Sequence, residues 1–166
     1  MVSKPVALKE IETYALLAVR KWLKRVLKEP KVRARLAKCE ADTYQVDLSV
    51  CGNAKMSHLN GTFRKKLRPT DVLSFPTPEF FQRQGLLGDL VLCGPVALKQ
   101  AKEQGHPWKR EIDVLLVHGL LHLCHFDHED SQKEAELMSS LEARVLGRGN
   151  STGLVKRGSQ TRHLKR

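Results

Sequence analysis

Long apolar runs and aromatic side chains are both scarce in this chain of 166 residues. A membrane-spanning helix needs about 20 apolar residues, whereas one of the longest uninterrupted apolar runs is only Tyr14–Val19. Charges interrupt the N-terminal segment and no small-residue cleavage site follows it, so we expect neither a secretory signal nor a membrane anchor. Aromatic residues make up 5% of the sequence, so the core has to depend on Leu, Val, Ala and Ile. We therefore expect a cytoplasmic protein.

Paired cysteines at metal-binding or redox spacing are also missing. The four cysteines (Cys39, Cys51, Cys93 and Cys124) are scattered, and no two of them form a C-x-x-C motif. A chain of this length does not depend on disulfides, and in a reducing compartment such residues serve as small buried apolar side chains. We therefore expect free, buried thiols.

Acidic residues are nearly absent from the two ends of the chain. Residues 1–38 contain 11 Lys and Arg against 3 Asp and Glu, and residues 147–166 contain 6 Lys and Arg and no acidic residue. Residues 39–146 have a net charge of −3, so the total charge of +11 comes from the ends. This asymmetry favours a polyanionic partner, and nucleic acid over a membrane surface. A helix face and a tail that serve only solubility are the alternative that charge alone leaves open.

Hydrophobic periodicity predicts three strands among several helices. Strands are expected at Thr43–Cys51, Asp71–Phe75 and Leu86–Cys93. Helices are expected at Leu8–Leu27 (stopped by Pro30), Val32–Ala41, 53–63, Pro95–Gln104 and Trp108–Cys124. A further helix is expected to begin with a capping box at Ser131 and to run to Leu146. We predict one α+β domain over residues 1–148, a small mixed sheet packed with about five helices, and a basic, disordered tail over residues 149–166.

Four of the seven histidines stand within eleven residues: His118, His122, His125 and His128. His118 and His122 share one face of the predicted helix, so both imidazoles can reach one ion at the usual Zn–N distance of about 2.0–2.1 Å. On a continuous helix His125 would lie roughly 10.5 Å along the axis from His118, so a third ligand has to return from the turn that follows. His128 is well placed for this, and His125 stays open as an alternative. Three imidazoles with a free fourth position are typical of a catalytic zinc site.

The spacing H-x3-H-x5-H is also that of metzincin-type metallopeptidases. Those enzymes have a glutamate directly after the first histidine as general base, whereas this chain has Gly119. The sequence therefore disfavours a peptidase and leaves the metal site intact. Nickel and copper also suit three imidazoles, so the residues alone leave the choice of metal open.

Three segments together resemble the YbeY family of bacterial rRNA maturation factors and endoribonucleases. HGLLHLCHFDHE is similar to the histidine motif of the family, and LNGTFRKKLRPTDVLSFP and LGDLVLC resemble two further family segments, in the same order within residues 43–146. The resemblance implies an α+β fold with the metal site on the long helix and the following turn. It implies one zinc ion held by His118, His122 and His128, with Arg64 beside it. The family has glycine where this chain has His125.

The resemblance also implies a function. It predicts a zinc-dependent, single-strand endoribonuclease that matures the 3′ end of small-subunit rRNA and acts in ribosome quality control, with rRNA and the small ribosomal subunit as partners. Arg64 and His118 are the expected catalytic residues, because the Arg64 guanidinium can neutralise charge on a phosphate beside the metal. The sequence leaves open whether water or a 2′-hydroxyl attacks. A non-catalytic ribosome assembly factor with a structural metal site is the alternative.

Overall fold

The computed structural model describes residues 6–36, 41 and 43–147, and it confirms the predicted single α+β domain. The strands are β1 (Gln45–Cys51), β2 (Val72–Pro76) and β3 (Leu86–Cys93). The helices are α1 (Leu8–Val26), α2 (Pro30–Arg35), α3 (Asn53–Arg64), α4 (Glu79–Arg83), α5 (Gly94–Glu103), α6 (Trp108–Leu123) and α7 (Gln132–Leu146). The predicted tail, residues 149–166, lies outside the described residues. Among the described helices, none is long and apolar enough to cross a membrane.

The three strands form the predicted mixed sheet, in the order β1-β3-β2. The central strand β3 pairs in parallel with β1 and antiparallel with β2. Gly88 of β3 has a φ of +142°, and a Cβ built there would lie 2.2 Å from the carbonyl oxygen of Phe75 in β2. Only glycine therefore allows β2 and β3 to approach each other this closely at that point.

Helix α6 crosses one face of the sheet and forms the centre of the core. It packs against α1, α5, α7, β2 and β3, and 12 of its 16 residues are buried. A helix that is apolar on all sides is stable only when neighbours surround it, and α6 meets this condition. The histidines it carries are therefore held by the most buried of the described helices.

The N-terminal helices differ from the prediction at Pro30. Helix α1 ends at Val26, and Pro30 begins α2 instead of stopping α1. A proline at the first helical position is favourable, because that position needs no backbone N–H donor. Helix α2 ends at Arg35, short of the predicted Ala41, and residues 37–40 and 42 lie outside the described residues.

Helix α7 begins as the sequence predicts, since the Ser131 hydroxyl accepts a hydrogen bond from the Glu134 amide at 3.2 Å. The Glu134 carboxylate, however, binds Arg35 of α2, so it is used for a long-range contact. Helix α7 then runs along α6 with Met138, Leu141, Glu142 and Val145 buried. This packing brings one acidic side chain into the core beside the histidines of α6.

Candidate metal centre

Three histidine side chains converge at the end of α6. One ring nitrogen from each of His118, His122 and His128 lies within 4.8 Å of the other two. The Nε2 atoms of His118 and His122 are 3.2 Å apart. Tetrahedral coordination at a Zn–N distance of 2.0–2.1 Å puts ligand nitrogens about 3.3 Å apart. The two helical ligands therefore already have the separation that a single bound ion requires.

The three rings of the cluster differ in how deeply they are buried. His118 and His122 are buried in the core, at 0% and 4% exposure, whereas His128 is half-buried. His118 and His122 come from α6, and His128 comes from the segment that leads to α7. His128 is therefore the least buried of the three rings, although its Nε2 atom is itself buried.

Glu142 of α7 binds the His118 ring on its Nδ1 side, opposite the Nε2 atom that faces the other histidines. His118 Nδ1 donates a hydrogen bond to Glu142 Oε1 at 2.7 Å, and both side chains are fully buried. A proton held on Nδ1 leaves the lone pair of Nε2 facing His122 and His128, which is the tautomer that binds metal. Sequence reasoning missed Glu142, although a signal exists: it shares the buried face of α7 with Met138, Leu141 and Val145.

His125 lies outside the converging group. Its backbone has a φ of +66°, the left-handed conformation that allows the chain to reverse after α6. Its Nε2 donates to Gln82 Oε1 of α4 at 2.5 Å. Burial of the ring and the nearby charge of Arg35 lower the pKa of His125. The geometry thus favours His128 over His125 as the third ligand.

The surroundings of Gly119 also disfavour the peptidase interpretation on geometry. A Cβ built on Gly119 would lie 2.7 Å from Leu90 Cδ2 and 3.3 Å from Ser74 Oγ. Position 119 therefore faces the sheet at close contact, and a glutamate there would be driven against β2 and β3. The buried Ser74 hydroxyl donates to the carbonyl oxygen of Gly119 at 3.5 Å, so this serine joins α6 to the sheet.

Comparison with known proteins identifies the family. A family model described as Endoribonuclease YbeY matches residues 7–150. The chain belongs to the YbeY family. An Endoribonuclease YbeY from Persephonella marina is 40% identical over 132 residues, which are 78% of this chain and 86% of the relative. One from Aquifex aeolicus is 39% identical over 77% of this chain and 88% of the relative.

A third YbeY relative, from Synechococcus, is 42% identical over 65% of this chain and 71% of its own length. A solution structure of a Thermotoga maritima protein is 27% identical, covers 76% of this chain and 80% of its own, and superimposes with a TM-score of 0.48. The chain spans most of the length of the YbeY relatives from Persephonella, Aquifex and Synechococcus.

Arg64, the arginine that the YbeY resemblance places beside the metal, is the last residue of α3 and is half-buried. The chain turns sharply after it, because Lys65 adopts a left-handed conformation with a φ of +57°. The Asn60 side chain then donates to the carbonyl oxygen of Arg68 at 2.7 Å and fixes the basic loop that follows. The position of Arg64 next to the metal stays a prediction.

A groove of about 420 Å³ lies on the other face of the sheet, beneath α3. Its lining includes the carboxylates of Asp47 and Asp89, one lysine, Lys55, and the rings of Phe63 and Phe75. The two rings meet edge to face with centroids 5.0 Å apart. The two carboxylates outnumber the single lysine, so the charge of this groove is unfavourable for a phosphate.

Proposed function

We propose that this protein is a zinc-dependent endoribonuclease of the cytoplasm that cuts single-stranded RNA during maturation of the 3′ end of small-subunit rRNA and in ribosome quality control. One observation carries the proposal: three imidazoles converge, with one of them oriented by buried Glu142, in a chain of the YbeY family. The relatives are named endoribonucleases, which supports RNA as the substrate.

The donor set fits one zinc ion, because the three imidazole nitrogens are close together and Glu142 fixes the tautomer of His118. When bound, zinc supplies a Lewis acid that polarises a phosphoryl oxygen and makes a water molecule more acidic. His118, His122 and His128 would hold the ion, and Glu142 would accept the hydrogen bond of His118 Nδ1 so that Nε2 faces the ion. Arg64 would offer its planar guanidinium to the phosphate and offset the negative charge that develops during cleavage.

The N-terminal helices supply cationic surface for the RNA. Seven basic side chains between positions 20 and 33 are exposed on α1, α2 and the turn between them: Arg20, Lys21, Lys24, Arg25, Lys28, Lys31 and Arg33. Clustered exposed cations bind the phosphate backbone without sequence preference. This surface supports contact with rRNA and with the small ribosomal subunit.

The decisive experiment is cleavage of a single-stranded RNA that carries the 3′ end of small-subunit rRNA. Matched preparations of the wild type, Arg64→Ala, His118→Ala and Arg68→Ala are compared, with the exposed Arg68 as the control from the same basic loop. We expect the wild type and Arg68→Ala to cut and the other two variants to be inactive. Equal cleavage by all four would leave catalysis by the free protein unsupported and would favour the non-catalytic assembly factor.

The same assay tests the alternative function. If the wild type binds zinc and small ribosomal subunits but cuts neither free RNA nor RNA in the subunit, the protein is a non-catalytic assembly factor. The product ends report the mechanism, because a 2′,3′-cyclic phosphate arises only when the neighbouring 2′-hydroxyl attacks.

The proposed division into a domain and a basic tail has its own test. Deletion of residues 149–166 is expected to weaken RNA binding and to reduce its dependence on salt, because the deletion removes phosphate contacts. The melting temperature should not change, since this segment is too poor in apolar residues to form part of the core. A clear drop in melting temperature would contradict the assigned boundary.

A further inference from the structure

Arg35, at the end of α2, contacts the segment that follows α6 and contains His128, and it also contacts the start of α7. Its Nη1 donates to the carbonyl oxygen of His125. Its Nη2 lies 2.7 Å from both carboxylate oxygens of Glu134 in the first turn of α7. The guanidinium carbon lies 4.0 Å from the centroid of the Phe126 ring. One side chain thus joins the beginning of this segment to the helix that follows it.

The position of His128 depends on this segment, because the regular hydrogen bonding of α6 does not extend to it. The last backbone hydrogen bonds from the end of α6 reach only Phe126, whose amide donates to the carbonyl oxygen of Leu121 at 3.1 Å. Phe126 is buried and anchors the start of the segment in the core. His128 follows two residues later, between this anchor and α7. Arg35 contacts the chain on both sides of His128.

We propose that Arg35 is a positioning residue that holds the 125–134 segment in the conformation in which His128 reaches the other two histidines. The proposal rests on the proposed metal site and identifies what keeps its third ligand in place. A planar guanidinium suits this role, because it can bind a carboxylate and a carbonyl oxygen while it stacks on a ring. The Arg35 and Glu134 side chains are only 30% and 26% exposed, so water screens their attraction less than it does at an open surface.

A second ion pair in the molecule provides a matched control. Arg144 of α7 binds Glu29, the residue before α2, so it also joins the N-terminal helices to α7. Arg144 lies ten residues beyond Glu134, which is about 15 Å along the helix axis. Loss of this pair removes a contact between the same parts of the fold, but far from the segment that carries His128.

The test measures the affinity for zinc by competition with a chromophoric chelator, without RNA. We expect Arg35→Ala to weaken zinc binding about tenfold, the lower end of the range for groups that support metal ligands, and Arg35→Lys to have a smaller effect. Arg144→Ala should leave the affinity unchanged. The same change is then made in a His128→Ala background, where direct titration with zinc measures the weaker site. There Arg35→Ala should not reduce zinc affinity further, because Arg35 acts through His128.

Unchanged zinc affinity in folded Arg35→Ala would overturn the proposal. An equal loss of zinc affinity in Arg144→Ala would overturn it as well. So would an equal further loss when Arg35→Ala is added to His128→Ala. If Arg35→Ala does not fold, Arg35→Lys decides the outcome, since it keeps the positive charge but loses the planar fork; wild-type affinity in that variant would overturn the proposal. A wild type that fails to bind zinc would refute the proposed metal site itself. A wild type that binds zinc with no effect of Arg35 would refute only the positioning role.

Discussion

The two parts of the histidine cluster are held by different kinds of structure. His118 and His122 lie on α6, which is surrounded by the sheet and by three helices, and their separation follows from helix geometry. His128 comes from a segment whose course depends on Arg35, about ninety residues earlier in the chain. One part of the site is thus fixed locally, and the other depends on long-range contacts. The following changes test this difference.

The largest effect is expected from loss of the third ligand. His128→Ala should weaken zinc binding by more than the roughly 100-fold that is the upper range for supporting groups, because a direct ligand is removed. His125→Ala should retain tight binding, since that ring contacts Gln82. Zinc titration of the two variants side by side measures this. The opposite result would make His125 the ligand.

Glu142→Gln should have the next largest effect, because it acts on the helical part of the cluster. The amide keeps the shape of the carboxylate but removes the charge behind His118, so zinc affinity should fall by about 10- to 100-fold. Chelator competition gives the affinity, and urea unfolding of the zinc-free protein shows whether the fold is retained. Wild-type affinity in a folded variant would show that Glu142 serves packing alone.

Gly119→Ala tests how firmly α6 is seated on the sheet. The added methyl group would lie 2.7 Å from Leu90 Cδ2, in a part of the core where Leu90 is fully buried. Overpacking costs roughly 1–3 kcal/mol, of which better helix propensity recovers up to about 1 kcal/mol. We expect a modest loss of unfolding free energy in urea, with zinc affinity nearly unchanged because both helical ligands move together. A large loss of affinity would show that the helix position itself is critical.

The smallest effect is expected from His125→Gly, which restores the residue typical of the family. Glycine adopts the left-handed conformation freely, but the hydrogen bond to Gln82 is lost, so the two changes nearly cancel at neutral pH. The pKa of His125 is lowered from 6.5 in the fold, so the unfolded chain binds this proton more readily and stability falls as the pH drops below about 6.5. The variant should lose less stability than the wild type between pH 7 and pH 5, as urea titrations at each pH would show. Parallel pH profiles would contradict this.

The sequence predicts the parts of the molecule that depend on local pattern. The predicted strand Leu86–Cys93 coincides with β3, and the spacing of His118 and His122 defines a shared helix face. Helix α4 is missed, because five residues between Pro78 and Gln84 are too few to show a helical period. The extent of α2 is wrong at both ends for the same reason, since its six residues carry little periodicity.

The long-range contacts could not be predicted, because they appear only once the helices pack. The position of Glu142 on the apolar face of its helix marks it as buried, but the local sequence does not identify His118 as its partner. Arg35 belongs to the basic N-terminal end for which charge favours a polyanionic partner, whereas the structure places it in a partly buried ion pair with Glu134. Most cations of the N-terminal helices are thus exposed, whereas Arg35 makes specific contacts with Glu134 and with the segment that precedes α7.

The burial of α6 on all sides has a consequence for hydrogen exchange. Amide protons from Val114 to Leu123 lie in the best-packed helix, so we expect them to exchange with deuterium only when the whole domain unfolds. Asp127 and His128 lie beyond the last backbone hydrogen bonds of this helix, so we expect a local opening to suffice for exchange of their amides. In zinc-free protein we therefore expect slow exchange at the amides of His118 and His122 and faster exchange at the amide of His128.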